Sequence, residues 1–231
     1  MTLDTLKTEW VDTPEYHQHI NELFSQLVDK DDRLKEHRDF VQNYVWGFGE
    51  RSFWWMWKLL CDVLPPNFTF LEIGCFKGAT LSVIKLLRAD ARVIGITPLD
   101  STGIDWEDDY RQRIHDIHDK FNDRQYPEII HGRSDDKGII AYAQTRSYNV
   151  IYIDGGHAKE DIDNDMDNYA PGVEKGGFLV IDDACCDMKM PWGYFQGIQP
   201  VTDGVLEYMS KYGSEWEFIG NVVHLRVYKR I

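Results

Sequence analysis

The sequence predicts an α/β fold: a mostly parallel sheet between layers of helices, its last strand reversed, with further helices ahead of it. Residues 1–64 show helical spacing and hold no glycine before Gly47. From Phe68 onward, short β-branched runs alternate with amphipathic stretches, the pattern of strands joined by crossover helices. The chain then ends on two strand-like runs in succession, "EWEFIG" and "NVVHLRVYKRI".

The elements follow in order. "INELFSQLV" sets Ile20, Leu23, Phe24 and Leu27 on one helix face, and "RSFWWMWKLLCDVL" reads as a second helix stopped by Pro65-Pro66. Trp54, Trp55 and Trp57 cannot all share one face, so part of this aromatic set is left for a substrate pocket or a subunit interface, which is compatible with a homo-oligomer. Strands are expected at 68–73, 92–97, 128–131, 149–153 and 177–181, and helices at 79–89, 105–124, 137–146, 158–169 and 202–212. The helix at 105–124 has Trp106, Tyr110, Ile114, Ile117 and Phe121 on one stripe. Gly220-Asn221 is the expected hairpin turn that reverses the last strand.

Composition narrows the function classes. Hydrophobic residues at 43% and charged residues at 28% are those of a folded globular chain. A net charge of −14 repels nucleic-acid phosphates and anionic membrane, and favours a small neutral or cationic partner. The most apolar segment, around Trp54–Leu64, is broken by Lys58 and Asp62 and is too short to span a bilayer. Cys61, Cys75, Cys185 and Cys186 lack zinc-site spacing, and the first residues lack the basic-then-apolar run of a signal peptide. A soluble, cytoplasmic protein is the expectation.

The first strand ends in "FLEIGCFKGAT", with the spacing E-x-G-x-x-x-G over Glu72, Gly74 and Gly78. A glycine turn leading into a helix lets backbone approach a ligand and presents free N–H groups. The spacing is not that of a dinucleotide or nucleotide-triphosphate loop, and the acid would repel a pyrophosphate yet hold an ammonium group. On these residues the chain resembles the class I S-adenosylmethionine-dependent methyltransferases, with "LEIGCFKG" corresponding to their first motif. The resemblance implies a Rossmann-like three-layer sandwich, a seven-stranded sheet with an antiparallel last strand, and S-adenosylmethionine as cofactor. It implies a cofactor-binding set of Glu72, Gly74, Cys75, Gly78, Thr97, Asp100, Ser134, Asp135 and Asp154. Gly74 and Gly78 would line the methionine end. For the ribose, "VIGITPLD" offers Thr97 and, three residues on, Asp100; either could serve. "HGRSDD" offers Ser134 and Asp135 to the adenine end. Residues 65–231 would then form the catalytic core as one compact unit, and 1–64 an N-terminal helical cap.

Asp154 ends one strand and Asp182-Asp183 the next. Ligands of an open parallel sheet bind beyond the carboxyl ends of its strands, and neighbouring ends lie about 5 Å apart. Carboxylates so crowded need protons or a cation, and an oxygen ligand set with open positions suits Mg2+. A single acid there could merely cap the following turn. "YIDGGHAKEDIDNDMDNYAPGVEKGGFLVIDD" is similar to the branch with the metal-dependent sugar O-methyltransferases of macrolide biosynthesis and the cephalosporin-hydroxylase-like proteins. That similarity implies Asp154, Asp182 and Asp183 as metal ligands and His157 as the general base, with Asp154 beside it. A hydroxyl of a sugar or other small molecule would be the methyl acceptor. Two alternatives stay open: a metal-independent methyltransferase relying on His157, and a non-catalytic cofactor-binding protein. Glu160, Asp161, Asp163, Asp165 and Asp167 read as a solvated helix face. The segment "CCDMKMPWGYFQGIQP" reads as a loop over the site, offering Trp192, Tyr194 and Phe195 to a substrate.

Overall fold

The computed structural model describes residues 1–99 and 109–231. Asp100 and Trp106 therefore lie outside the described residues. The N-terminal helices are α1 (Leu3–Glu9), α2 (Pro14–Lys30), α3 (Asp32–Phe40) and α4 (Phe53–Val63). Then come β1 (Thr69–Ile73), α5 (Ala79–Leu87), β2 (Arg92–Thr97), α6 (Tyr110–Phe121), β3 (Glu128–His131) and α7 (Lys137–Ala143). The chain closes with β4 (Tyr148–Ile153), α8 (Lys159–Tyr169), β5 (Val173–Ile181), α9 (Gln199–Tyr212), β6 (Trp216–Val222) and β7 (Leu225–Arg230).

The strands form one seven-stranded sheet in the order β3-β2-β1-β4-β5-β7-β6. β1 to β5 pair in parallel, and β7 runs antiparallel to both β5 and β6. This is the Rossmann-like sheet with a reversed last strand that the sequence predicts. The order reverses beside β1, whose two neighbours are β2 and β4, so a crevice opens there at the carboxyl ends of the strands. Among the described residues, no helix is long and apolar enough to cross a membrane.

Local chemistry accounts for the helix starts. Thr13 accepts from Tyr16 N ahead of Pro14, and Asp31 accepts from Arg33 N and Leu34 N at the head of α3. In α2 the buried face is Ile20, Phe24 and Val28. In α4 Trp54 and Trp57 are buried while Trp55 is only partly so, the division that helical spacing demands. Trp57 lies edge-on to Phe70 of β1 and Tyr152 of β4, with ring centroids 5.7 and 5.0 Å apart. The helices of residues 1–64 thus share one apolar cluster with the sheet.

A buried polar chain ties these helices to α5 and α6. Trp54 Nε1 donates to His37 Nδ1 (2.8 Å), which leaves His37 Nε2 to carry the ring proton and donate to Ser82 Oγ (3.0 Å). Ser82 Oγ donates to Asn122 Oδ1 (2.7 Å), and Asn122 Nδ2 returns a bond to Ser82 O (3.1 Å). Burial holds the His37 imidazole down at about 3, so it stays neutral.

The hairpin turn differs from expectation. β6 continues to Val222 and the turn falls at Val223-His224, with Val223 at φ 50°. Gly220 instead sits inside β6 at a register shift, at φ 146°. A side chain there would press on Trp10 and Leu6, because α1 crosses the edge strand at this point. Asn221 is likewise used by packing: it accepts from Trp10 Nε1 (2.8 Å) and donates to Val223 O (3.0 Å). The Gly-Asn pair therefore serves close approach of a helix rather than the turn.

His37→Leu should cost about 2–4 kcal/mol in urea unfolding near neutral pH, since buried Trp54 and Ser82 lose their partner. In the unfolded chain His37 takes a proton near 6.5, in the folded one only near 3, so its contribution is complete above the first value and drains away toward the second. The gap between wild type and variant should then narrow on going from about pH 7.5 to about pH 5. A gap that stays constant would contradict a buried neutral His37.

Candidate active site

Parallel register places the acids. Ile73 pairs with Ile153, and Ile153 with Ile181, so the three strands end at one level. The ladder extends one residue further through Asp154 N to Ile73 O (2.9 Å) and Asp182 N to Ile153 O (3.0 Å). Tyr152 Oη lies 3.2 Å from Asp154 Oδ2 and 3.0 Å from Asp182 Oδ2 and has one proton to give. Burial, then the charges of Asp182, Glu72 and Asp183, raise the Asp154 carboxyl well above the usual range. Asp154, Gly155, Gly156, His157, Asp182 and Asp183 line a small open cleft.

Of the expected metal set, Asp182 and Asp183 come together, and the third group whose ligand atom lies with theirs is His224. Ligand atoms of Asp182, Asp183 and His224 all lie within 4.8 Å of one another, and no other such group occurs among the described residues. His224 Nδ1 is 3.0 Å from Asp182 Oδ1 and 3.1 Å from Asp183 Oδ1. Burial works against a charge on this imidazole, yet the two carboxylates outweigh it and raise the group to about 9. Asp154 reaches the cluster through Tyr152. His157 stands at the mouth, its side chain 52% exposed and its Nε2 3.4 Å from Asp183 Oδ2. The sequence carried a signal for His224, a polar residue inside the apolar run "NVVHLRV", which a turn placed at Gly220-Asn221 obscures.

The glycine turn is equally constrained. Gly74 has φ 87°, and a side chain there would overlap Asp154 O, 1.9 Å from the added carbon. The turns after β1 and β4 therefore touch through this glycine. Gly78 heads α5 against Ile114. Cys75 turns its thiol into the space above Gly95 and toward Glu72 O and Ile96 O, each 3.6 Å away, so only its backbone is left to meet a ligand. Glu72 is buried; burial pushes it up to about 8 against hydrogen bonds from Thr80 and Leu81, and its Oε2 has no partner.

The remaining expected cofactor contacts are spread around the crevice. Thr97 ends β2 and its hydroxyl accepts from Leu99 N (3.3 Å). Ser134 follows β3 and its carbonyl accepts from Tyr169 Oη (2.8 Å), while exposed Asp135 pairs with Arg133 (3.1 Å). Asp165 overturns the reading of the acidic helix as wholly solvated. It is buried beneath Gly155, bonded by Ser134 and Asn164, and burial raises it to about 6. It falls on the Ile162–Met166–Tyr169 face, so helical spacing alone could have singled it out.

The loop after Asp183 returns onto it through Ile198 N to Asp183 O (2.8 Å). Phe195 packs on His224 with centroids 5.0 Å apart. Tyr194 is drawn away to accept from Asn21 Nδ2 (3.2 Å), and Trp192 is wholly exposed.

Glu72→Gln tests the buried carboxyl. The folded protein keeps the Glu72 proton up to about 8 and the unfolded chain only to about 4.5, so between these values stability falls as pH rises. The variant should gain on wild type by on the order of 4 kcal/mol near pH 8 and approach it near pH 5 in denaturation curves. Equal stabilities near pH 8 would refute the assignment.

Known proteins share this fold. Residues 71–184 match the family described as "Methyltransferase domain". An uncharacterized protein of Acanthamoeba polyphaga mimivirus is 31% identical over 127 residues, covering 51% of this chain and 52% of that one. The chain thus spans about half the length of that curated relative. A Staphylococcus aureus structure described as a caffeoyl-CoA O-methyltransferase superposes with a TM-score of 0.64 at 15% identity, covering 90% of this chain and 99% of the other. The O-methyltransferase TomG of Streptomyces achromogenes, involved in tomaymycin synthesis and solved with S-adenosylmethionine, gives 0.57 at 14% identity, with 87% and 90% covered. At these identities the structural likeness is one of fold. Residues 71–184, about half of the chain, thus match a methyltransferase domain, and the sheet that carries them has the Rossmann-like methyltransferase fold.

Proposed function

We propose that the protein transfers a methyl group from S-adenosylmethionine to a hydroxyl of a small molecule, a sugar or other natural product, with a divalent cation, Mg2+, assisting. The observation that carries this reading is the meeting of Asp154, Asp182 and Asp183 at adjacent strand ends, beside the glycine turn and below His157. A crowded carboxylate cluster, whose neighbouring charges raise Asp154 above its usual range, is chemically suited to a cation. The unpartnered Glu72 Oε2 at the end of β1 suits the donors of an amino-acid moiety. The likeness to a tomaymycin-pathway enzyme favours a natural-product acceptor. The unpaired cysteines support the expected reducing, cytoplasmic setting.

When bound, the cofactor supplies an electrophilic sulfonium methyl and the cation lowers the pKa of the acceptor hydroxyl. The protein's own groups do the rest. Asp154, Asp182 and Asp183 set the position of the acceptor oxygen. His157, exposed at the cleft mouth and 3.4 Å from Asp183, takes the hydroxyl proton. The Gly74 turn, pressed against Asp154, keeps the cofactor side and the acceptor side at fixed separation, which is what in-line transfer requires.

A second reading has its own support: His224, raised to about 9, brings a positive charge to Asp182 and Asp183 without any metal. His157 would then act alone.

Methyl transfer from labelled cofactor should cease in EDTA and return with Mg2+; undiminished turnover in EDTA would select the second reading. Because Asp154 is held above its usual range and must be ionised to bind a cation, Mg2+ affinity should be higher at an alkaline than at an acidic pH. Calorimetry at both values measures it, and a flat profile would remove Asp154 from the ligand set. His157→Ala should lower kcat by about 100-fold with cofactor affinity unchanged. Loss of cofactor binding instead would make His157 a binding residue.

A further inference from the structure

We infer that His224 is a nitrogen ligand of this site, and that with it the site selects a first-row transition ion such as Mn2+ or Co2+ over Mg2+. The inference rests on the metal-assisted reading and deepens it. A set of carboxylates alone is a hard oxygen site suited to Mg2+. Two carboxylates and an imidazole with open positions on the remaining side are the donor set of Mn2+, Fe2+, Co2+ or Zn2+.

The geometry that carries it is convergence without hydrogen bonding. His224 Nδ1 lies 3.0 and 3.1 Å from Asp182 Oδ1 and Asp183 Oδ1, yet neither Nδ1 nor Asp182 Oδ1 has a hydrogen-bond partner of acceptable angle. Atoms that approach in this way aim at a common point rather than at one another. Adjacent ligand atoms around an ion with bonds of about 2.1 Å lie about 3 Å apart, the separation seen here. His224 is 7% exposed. Its ring is gripped edge-on by Phe53 of α4 at 4.9 Å (67°) and by Phe195 at 5.0 Å (72°), which blocks rotation toward solvent. Its carbonyl accepts from Ala184 N (3.1 Å), which pins the β6–β7 turn to the residue after Asp183.

Calorimetric titration of the full-length protein with Mg2+, Mn2+ and Co2+, alongside pulsed electron paramagnetic resonance of bound Mn2+, tests the assignment. Mn2+ and Co2+ should bind at least about tenfold more tightly than Mg2+. The Mn2+ spectrum should show nitrogen hyperfine coupling that survives in His157→Ala and vanishes in His224→Ala, where the tenfold preference also disappears. The wild-type spectrum needs no variant to fold, so it stands as evidence even if His224→Ala does not. Mn2+ bound without nitrogen coupling, or with coupling lost only in His157→Ala, would overturn the role of His224 and leave the metal-assisted reading intact. No binding of any of the three ions at millimolar concentration would defeat both, leaving His224 as a fixed counter-charge.

Discussion

Parallel pairing of β1, β4 and β5 brings Glu72, Asp154 and Asp182 to one edge of the sheet, where their charges repel across a few ångströms. Much of the surrounding structure manages that repulsion. Tyr152 places one hydroxyl between Asp154 and Asp182, Asp154 and Glu72 are raised above the usual carboxylate range, and His224 closes on the Asp182-Asp183 pair. Such a site has no reason to exist for stability alone, because apolar side chains at the same positions would be less costly. Its carboxylates are kept close by a backbone ladder that continues through Asp154 N and Asp182 N, so the cluster cannot spread to relieve itself.

The helices ahead of the sheet belong to the same arrangement. Trp57 packs on Tyr152, whose hydroxyl bridges the acids, and Phe53 packs on His224. A residue from α4 therefore stands behind each of the two groups that meet the carboxylates. The Trp54–His37–Ser82–Asn122 chain holds α4 to α3, α5 and α6, and with them to the helix that follows the glycine turn. Through these contacts the packing of residues 1–64 bears on the chemistry at the strand ends.

The alternation of strands and helices, the reversed last strand and the acids at the ends of β4 and β5 were legible in the sequence, because each is a local pattern with a period or a position. The turn at Val223-His224 was not. Gly220-Asn221 carries the stronger turn signal, but Gly220 is needed where α1 crosses β6, a contact between segments over 200 residues apart. Misplacing the turn hid His224 inside a strand. Asp165 was misread for a different reason: it lies in a run of acids whose charge pattern is that of a surface, although its helical position is that of the buried face.

The sequence by itself determined the sheet, the glycine turn and the pool of acids from which a site could be built, since periodicity and strand-end position are properties of neighbouring residues. Only the tertiary structure decided which of them meet. It set Tyr152 between Asp154 and Asp182, turned Cys75 into the space above Gly95, and brought His224 from the last hairpin to Asp182 and Asp183. Those choices depend on register and on packing between distant segments, and a one-residue change in either would send a different side chain to the site.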